Sequence, residues 1–125
     1  EYAVNALHVA HLIVLGHSNC GGVQGCIRMC QGHAPELEEE TSFVGRWMDI
    51  LRPGWERVKH ESDPEARARA LEKAAVVISL ENLMSFPFIS EAVDAGQLSV
   101  HGLWTEIGEG ALECYDPYAG GFRPL

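Results

Sequence analysis

Basic residues are scarce in this chain. Nine Lys and Arg stand against 18 Asp and Glu, for a net charge of -9. Such a chain lacks the cationic surface that neutralises phosphates, which counts against DNA or RNA as a partner. Long apolar runs are missing too. None approaches the ~18 residues of a membrane-spanning helix, so no membrane partner is expected. No basic stretch followed by an apolar segment marks a signal peptide. Cysteine is confined to Cys20, Cys26, Cys30 and Cys114. With 46% hydrophobic residues in 125, a core can form without covalent staples, and nothing else points to secretion. Reduced thiols and a cytoplasmic setting are therefore expected. There is no internal repeat and no low-complexity tract. No Gly-Lys-Ser/Thr occurs beside the Gly-rich turn at 21–22, which excludes a P-loop there. Methionine is absent from position 1: the chain opens at Glu1 inside a helical pattern, with Tyr2, Ala3, Ala6 and Leu7 near one face. That reads as a segment of something longer, with residues 1–125 forming one domain or most of one.

What is present follows an α/β order. Residues 1–8 read as the tail of a helix. The unbroken apolar run from His11 to Gly16 predicts a strand buried on both faces, as in parallel sheets covered by helices. Gly21 and Gly22 open a helix to about Cys30, and Gly32 is a stop. Pro35 to Glu40 reads as an acidic surface loop. Ser42 caps a helix to about Leu51, broken by Pro53, and a turn or two follows to His60. Asp63-Pro64-Glu65 is a strong helix start, and the helix runs to about 84. Glu65, Arg67, Arg69, Glu72 and Lys73 are assigned to its charged side; Leu71, Ala74, Ala75, Ile78 and Leu80 to its apolar side. A last helix begins at Pro87 and ends at Gly96. Leu98 to Ile107 predicts a second strand, parallel to the first across a helical crossover. Gly108 to Gly110 turns the chain into a third, Ala111 to Tyr115, expected to be antiparallel and at an edge.

The stretch LIVLGHSNCGG (12–22) carries the chemistry. In open parallel sheets, sites form at the carboxyl ends of strands, and His17 and Cys20 stand there, between strand and helix. Imidazole nitrogen and thiolate sulfur are zinc ligands. A helix N-terminus favours the thiolate, and Gly21 and Gly22 let a small ligand approach their amides. Two readings stay open: a metal pair, or a capped turn with a buried thiol. GHSNC also comes near the G-x-S-x-G elbow, with Ser18 as a hydrolase nucleophile. Cys20 replaces the last glycine of that motif, and 125 residues is short for that fold. A cysteine phosphatase would need an arginine where Cys26 stands. Cys26, Cys30 and His33 could extend a metal cluster with Cys20, or be small core residues and a solvated histidine. His8, His11 and His60 carry no spacing signal, and His101 reads as a core histidine.

EYAVNALHVAHLIVLGHSNCGGV resembles the second zinc-ligand segment of β-class carbonic anhydrases. VVISLENLMSFPFISEAVDAGQLSVHGLWTEIGEGALECYD is similar to the C-terminal part of the same family, through its S-x-x-N-L-x-x-x-P helix start, its G-x-L-x-x-H-G strand and its closing Tyr-Asp. The resemblance spans nearly the whole chain, least distinctively at 31–60. It implies a β-carbonic-anhydrase-like α/β fold, incomplete at the N-terminus: a parallel sheet flanked by helices, with an antiparallel edge strand. It implies zinc as cofactor, bound by His17 and Cys20, and substrate binding at Gly21 and Gly22. The implied activity is reversible hydration of carbon dioxide to bicarbonate by zinc-hydroxide attack, in a homodimer or higher homo-oligomer. The family's first ligand segment, C-x-D-x-R, occurs nowhere in the chain, so the partners of His17 and Cys20 are expected before Glu1. These 125 residues alone are then expected to be nearly inactive, with an exposed sheet edge and sticky apolar faces. Thr105 stands where some bacterial members carry a tyrosine of an inhibitory bicarbonate site, which argues against that site here. A non-catalytic anhydrase-like oligomerisation module is the alternative from another class.

Overall fold

The computed structural model describes residues 1–125. The apolar run forms β1 (His11–His17), and Ser99–Glu106 forms β2. They pair in parallel, from His11 opposite Ser99 to His17 opposite Thr105. β3 (Ala111–Asp116) returns antiparallel beside β2, and β4 (Gly121–Pro124) antiparallel beside β3, so the sheet order is β1-β2-β3-β4. The helices are α1 (Tyr2–Asn5), α2 (Gly21–Cys30), α3 (Phe43–Asp49), α4 (Arg52–Val58), α5 (Pro64–Met84) and α6 (Pro87–Asp94), with one 3-10 turn at Pro35–Leu37. No single helix is long and apolar enough to cross a membrane.

Local chemistry places the helix ends where the sequence puts them. The Ser42 hydroxyl accepts the Gly45 amide at 2.9 Å, and Asp63 Oδ2 accepts the Ala66 amide at 2.9 Å. Pro64 and Pro87 stand in the first turns of α5 and α6. Gly96, at φ +70, takes the left-handed turn after α6 that a Cβ would oppose.

Two strand expectations need correction. β3 is interior and β4 is the edge. β4 escapes sequence reading because four residues bounded by Gly121 and Pro124 carry almost no alternating pattern; a proline that cannot donate to the ladder suits an edge. β1 is covered on one face only. Its odd-numbered residues are exposed, Ile13 by 60% and Leu15 by 58%. Its outer edge has no partner strand.

The covered face of the sheet packs on α5 unusually closely. A Cβ on Gly16 would stand 2.5 Å from Val76 Cγ2, and one on Gly102 2.9 Å from Val76 Cγ1 and Leu80 Cδ1. Two glycines on neighbouring strands therefore set the distance between sheet and helix. Val23, Cys26, Ile27, Met29, Met48, Ala68 and Leu71 form the main core among α2, α3 and α5. A smaller cluster of Val4, Ile89 and Leu98 ties α1 and α6 to the start of β2. Lys73 of α5 pairs with Glu113 at 2.6 Å and lies over the Trp104 ring, 4.6 Å from its centroid.

Gly16→Ala is expected to lower stability by about 1–3 kcal/mol, the usual cost of overpacking against a stiff β-branched neighbour. Denaturant unfolding measures it; an unchanged midpoint would show that the helix–sheet spacing yields freely.

Candidate active site

β1 ends at His17, and the chain reaches α2 through Ser18, Asn19 and Cys20. Asn19 takes a left-handed conformation, φ +56, which asparagine tolerates better than most residues. The Ser18 amide donates to the Thr105 carbonyl at 2.9 Å, carrying the β1–β2 pairing one residue past the strand. Cys20 then occupies the N-cap of α2 in an extended conformation.

The His17 ring is held at one nitrogen. Nδ1 lies 2.8 Å from the Ser18 carbonyl oxygen. A carbonyl can only accept, so Nδ1 carries the proton and Nε2 keeps its lone pair. Metal-binding imidazoles are commonly oriented by this arrangement.

The Cys20 end is held from below. Its amide donates to Glu72 Oε1 at 3.3 Å. Glu72 is 2% exposed, and Arg69 Nη1 reaches both of its oxygens, at 3.0 and 2.8 Å. Arg69 Nη2 continues to Asn19 Oδ1 at 2.7 Å. One buried carboxylate and one arginine thus bind α5 to the turn that presents His17 and Cys20. The sequence reading placed both on the solvated side of α5, and this is its main miss. The overlooked signal is the row Ala68, Leu71, Glu72, Ala75, Val76, Ser79: at helical spacing Glu72 falls inside the inward face.

Ser18 is no nucleophile. It is 0% exposed, its hydroxyl accepts the Ile107 amide at 2.9 Å, and it is bonded to the Glu106 carboxylate. The hydroxyl joins the strand–helix turn to the end of β2. That hydrogen bond first, then the Glu109 amide, holds the Glu106 carboxyl below its ordinary 4.5.

A cleft of about 490 Å³ opens beside His17 and Cys20. Its wall is mostly apolar, with Val14, Val23, Trp47, Met48, Ile50 and Ala75 prominent, and Glu72 lies at its side. A Cβ built on Gly21 would meet no other part of the protein within 4 Å, so the side of the first turn of α2 is open there. The larger cysteine–histidine cluster weighed above does not assemble. Cys26 pairs with Cys30, and His33 is exposed. His101 Nε2 lies 3.0 Å from His11 Nδ1, a cross-strand pair remote from the cleft. The Thr105 hydroxyl is bonded to the Ala111 carbonyl at 3.0 Å.

A strand-to-helix turn bearing His-x-x-Cys-Gly-Gly thus stands at the mouth of an apolar cleft in an α/β protein. The family it belongs to is plain from comparison. The carbonic anhydrase family profile matches residues 1–112, and the chain belongs to the β-class carbonic anhydrases. It is 32% identical over 119 residues to β carbonic anhydrase 3 of Arabidopsis thaliana, covering 93% of this chain and 45% of that protein. It is 32% identical over 126 residues to carbonic anhydrase 1 of Escherichia coli O157:H7, covering 100% of this chain and 55% of that one. Among solved structures, the β-carbonic anhydrase CcaA superimposes with a TM-score of 0.86 at 27% identity, over 100% of this chain and 55% of its own. A tetrameric β-carbonic anhydrase of Sordaria macrospora gives 0.72 at 27% identity, over 91% and 56%. The chain thus spans about half the length of the curated relatives it matches.

The family is zinc-dependent in general, and the donors fit that metal in part. His17 offers a lone pair on an oriented ring, and Cys20 a sulfur at a helix N-terminus. No group of three or more His, Cys, Asp or Glu side chains converges anywhere in the chain. Tetrahedral zinc takes four ligands, three from the protein in catalytic sites, so this chain provides at most two.

Two outcomes follow from these contacts. Glu72→Ala is expected to cost about 2–3 kcal/mol, because Arg69 and the Cys20 amide lose a buried charged acceptor. Calorimetry checks it, and a neutral result would deny Glu72 its anchoring role. For Glu106 the folded pKa lies below the ordinary value. Its stabilisation is therefore complete above pH 4.5 and is lost as pH falls from there through the folded pKa. Glu106→Gln should flatten that acid-side loss in denaturant midpoints measured against pH; an unchanged pH profile would contradict it.

Proposed function

We propose that the full protein catalyses reversible hydration of carbon dioxide to bicarbonate, and that this chain contributes His17 and Cys20 to its zinc site. The observation that carries the reading is the His17–Cys20 turn: an imidazole pinned at Nδ1 and a thiol at a helix N-cap, within a chain matched to the family over residues 1–112. Bound zinc supplies a lowered water pKa, about 7, so that hydroxide is available at neutral pH. The chain's own residues do the rest. The Ser18 carbonyl keeps the His17 lone pair on Nε2. Cys20 sits at the N-cap of α2, at the positive end of the helix dipole. Glu72 holds the Cys20 amide, and with it the turn. The apolar cleft suits a small uncharged gas, and the amides at Gly21 and Gly22 are positioned to orient an oxygen of the anion formed from it.

The remaining donors come, under this reading, from protein outside these 125 residues, and the open face and edge of β1 are where such a segment or a second subunit would pack. Exposed Trp47, Ile13 and Leu15, and the tetrameric Sordaria relative, support a homo-oligomer. Four unpaired thiols accord with a cytoplasmic setting. A second reading, a non-catalytic oligomerisation module, draws on the lack of a third converging donor.

Elemental analysis separates the two. The longest natural chain containing this segment should carry about one zinc per chain, and this segment alone little. Cys20→Ser in the long chain should abolish both zinc and carbon dioxide hydration. Full retention of both would refute the ligand assignment, and a metal-free wild-type long chain would establish the module instead.

A further inference from the structure

Two thiols lie outside this chemistry. Cys26 and Cys30 stand one turn apart on α2, with their Sγ atoms 3.9 Å from each other, within hydrogen-bond range for sulfur. Their surroundings differ. Cys26 is 0% exposed, sealed in the core with Val23, Met29, Met48 and Leu71. Burial first, then the adjacent Cys30 sulfur, pushes its thiol up to about 12. Cys30 is half-buried and is the last residue of α2. Its sulfur also faces Arg52 Nη1 at 3.9 Å, and Arg52 is held in place by Asp49. The partial exposure of Cys30 leaves that end of the pair within reach of a small solute.

We propose that Cys30 and Cys26 form an oxidisable dithiol, with Cys30 the nucleophile toward a hydroperoxide and Cys26 the resolving thiol. The Cys26 sulfur and the Arg52 guanidinium both stand 3.9 Å from the Cys30 sulfur, so a thiolate formed there has a cation beside it. In the first step that thiolate attacks a peroxide oxygen. The S–O bond forms, the O–O bond breaks, and the leaving oxygen takes a proton and departs as water or alcohol. Cys30 is thereby oxidised to a sulfenic acid. In the second step the Cys26 sulfur attacks the Cys30 sulfur. The S–S bond forms, the S–O bond breaks, and the hydroxide leaves as water with the Cys26 proton. The two thiols lose two hydrogens, and the peroxide is reduced.

The position of Cys30 makes closure possible. A disulfide needs Cβ atoms about 3.5–4.5 Å apart, whereas residues four apart on a regular helix hold theirs at about 5–6 Å. The last turn of α2 must therefore open. It can, because Cys30 ends the helix and Gly32, at φ +74, already turns the chain away. A disulfide closed against helical geometry is readily reduced, so the modification is reversible. The inference is independent of whether the chain holds zinc.

The test is peroxide treatment of the reduced full chain followed by peptide mapping. Trypsin cuts after Arg28, between the two cysteines, so the cross-link joins the peptide ending at Arg28 to the one beginning at Met29. The expected result is that joined species, two hydrogens lighter, assigned to Cys26 and Cys30 by fragmentation and separated again by dithiothreitol. Cys26→Ser should instead accumulate a sulfenic acid on Cys30 that dimedone traps. Cys30→Ser should leave Cys26 reduced. No cross-link in excess peroxide, a cross-link to Cys20 or Cys114, or oxidation of Cys26 persisting in Cys30→Ser would overturn the proposal. If Cys26→Ser does not fold, Cys30→Ser, at the half-buried helix end, decides alone.

Discussion

The contact on which the rest of the site depends is the buried carboxylate of Glu72. A carboxylate out of water is costly unless its oxygens are matched by donors. Here Arg69 takes both oxygens and the Cys20 amide takes one. The matching donors come from two places far apart in sequence, so satisfying the charge brings the first turn of α2 onto α5. Arg69 also reaches Asn19, and the whole strand–helix turn becomes a rigid bracket. α5 is itself located by the sheet, through the close approach over Gly16 and Gly102. The position of Cys20 is therefore inherited, step by step, from the parallel pairing of β1 and β2.

Around that bracket the protein is finished on one side and bare on the other. The face of β1 toward α5 is packed, while its other face and its outer edge are open, with Ile13 and Leu15 left to solvent. Apolar strand faces and unpaired edges are features that proteins ordinarily cover. The site has the same asymmetry. Its turn carries one imidazole and one thiol, and no group of three or more possible metal ligands forms. Under the proposed function, the surface that lacks a cover and the metal site that lacks ligands are one deficiency, met by the same additional protein.

α2 holds two kinds of cysteine chemistry at its two ends. Cys20 stands at the N-terminus, the positive end of the helix dipole. Cys26 and Cys30 stand toward the C-terminus, in contact with each other, with Arg52 beside Cys30. Under the two proposals the same residue type serves a metal at one end and oxidation at the other, according to the groups around each sulfur.

Much of this was legible in the sequence, and for local reasons. Caps, prolines and glycines act on their immediate neighbours, so Ser42, Asp63, Pro64, Pro87 and Gly96 marked the helix ends correctly. The apolar run at 11–16 announced β1, its parallel partner followed from the crossover, and Gly21 and Gly22 announced the start of α2. Tertiary structure alone decided the rest, because it depended on what lies across space. It turned Glu72 and Arg69 inward, since a charged residue at an inward helical position is read as solvated until its partner from another element is known. It took Ser18 out of reach as a nucleophile by committing its hydroxyl to the end of β2. It bared one face of β1, because an apolar run records that a strand can be buried and not whether anything covers it. It added β4, whose few residues form a strand only because β3 offers an edge to pair with.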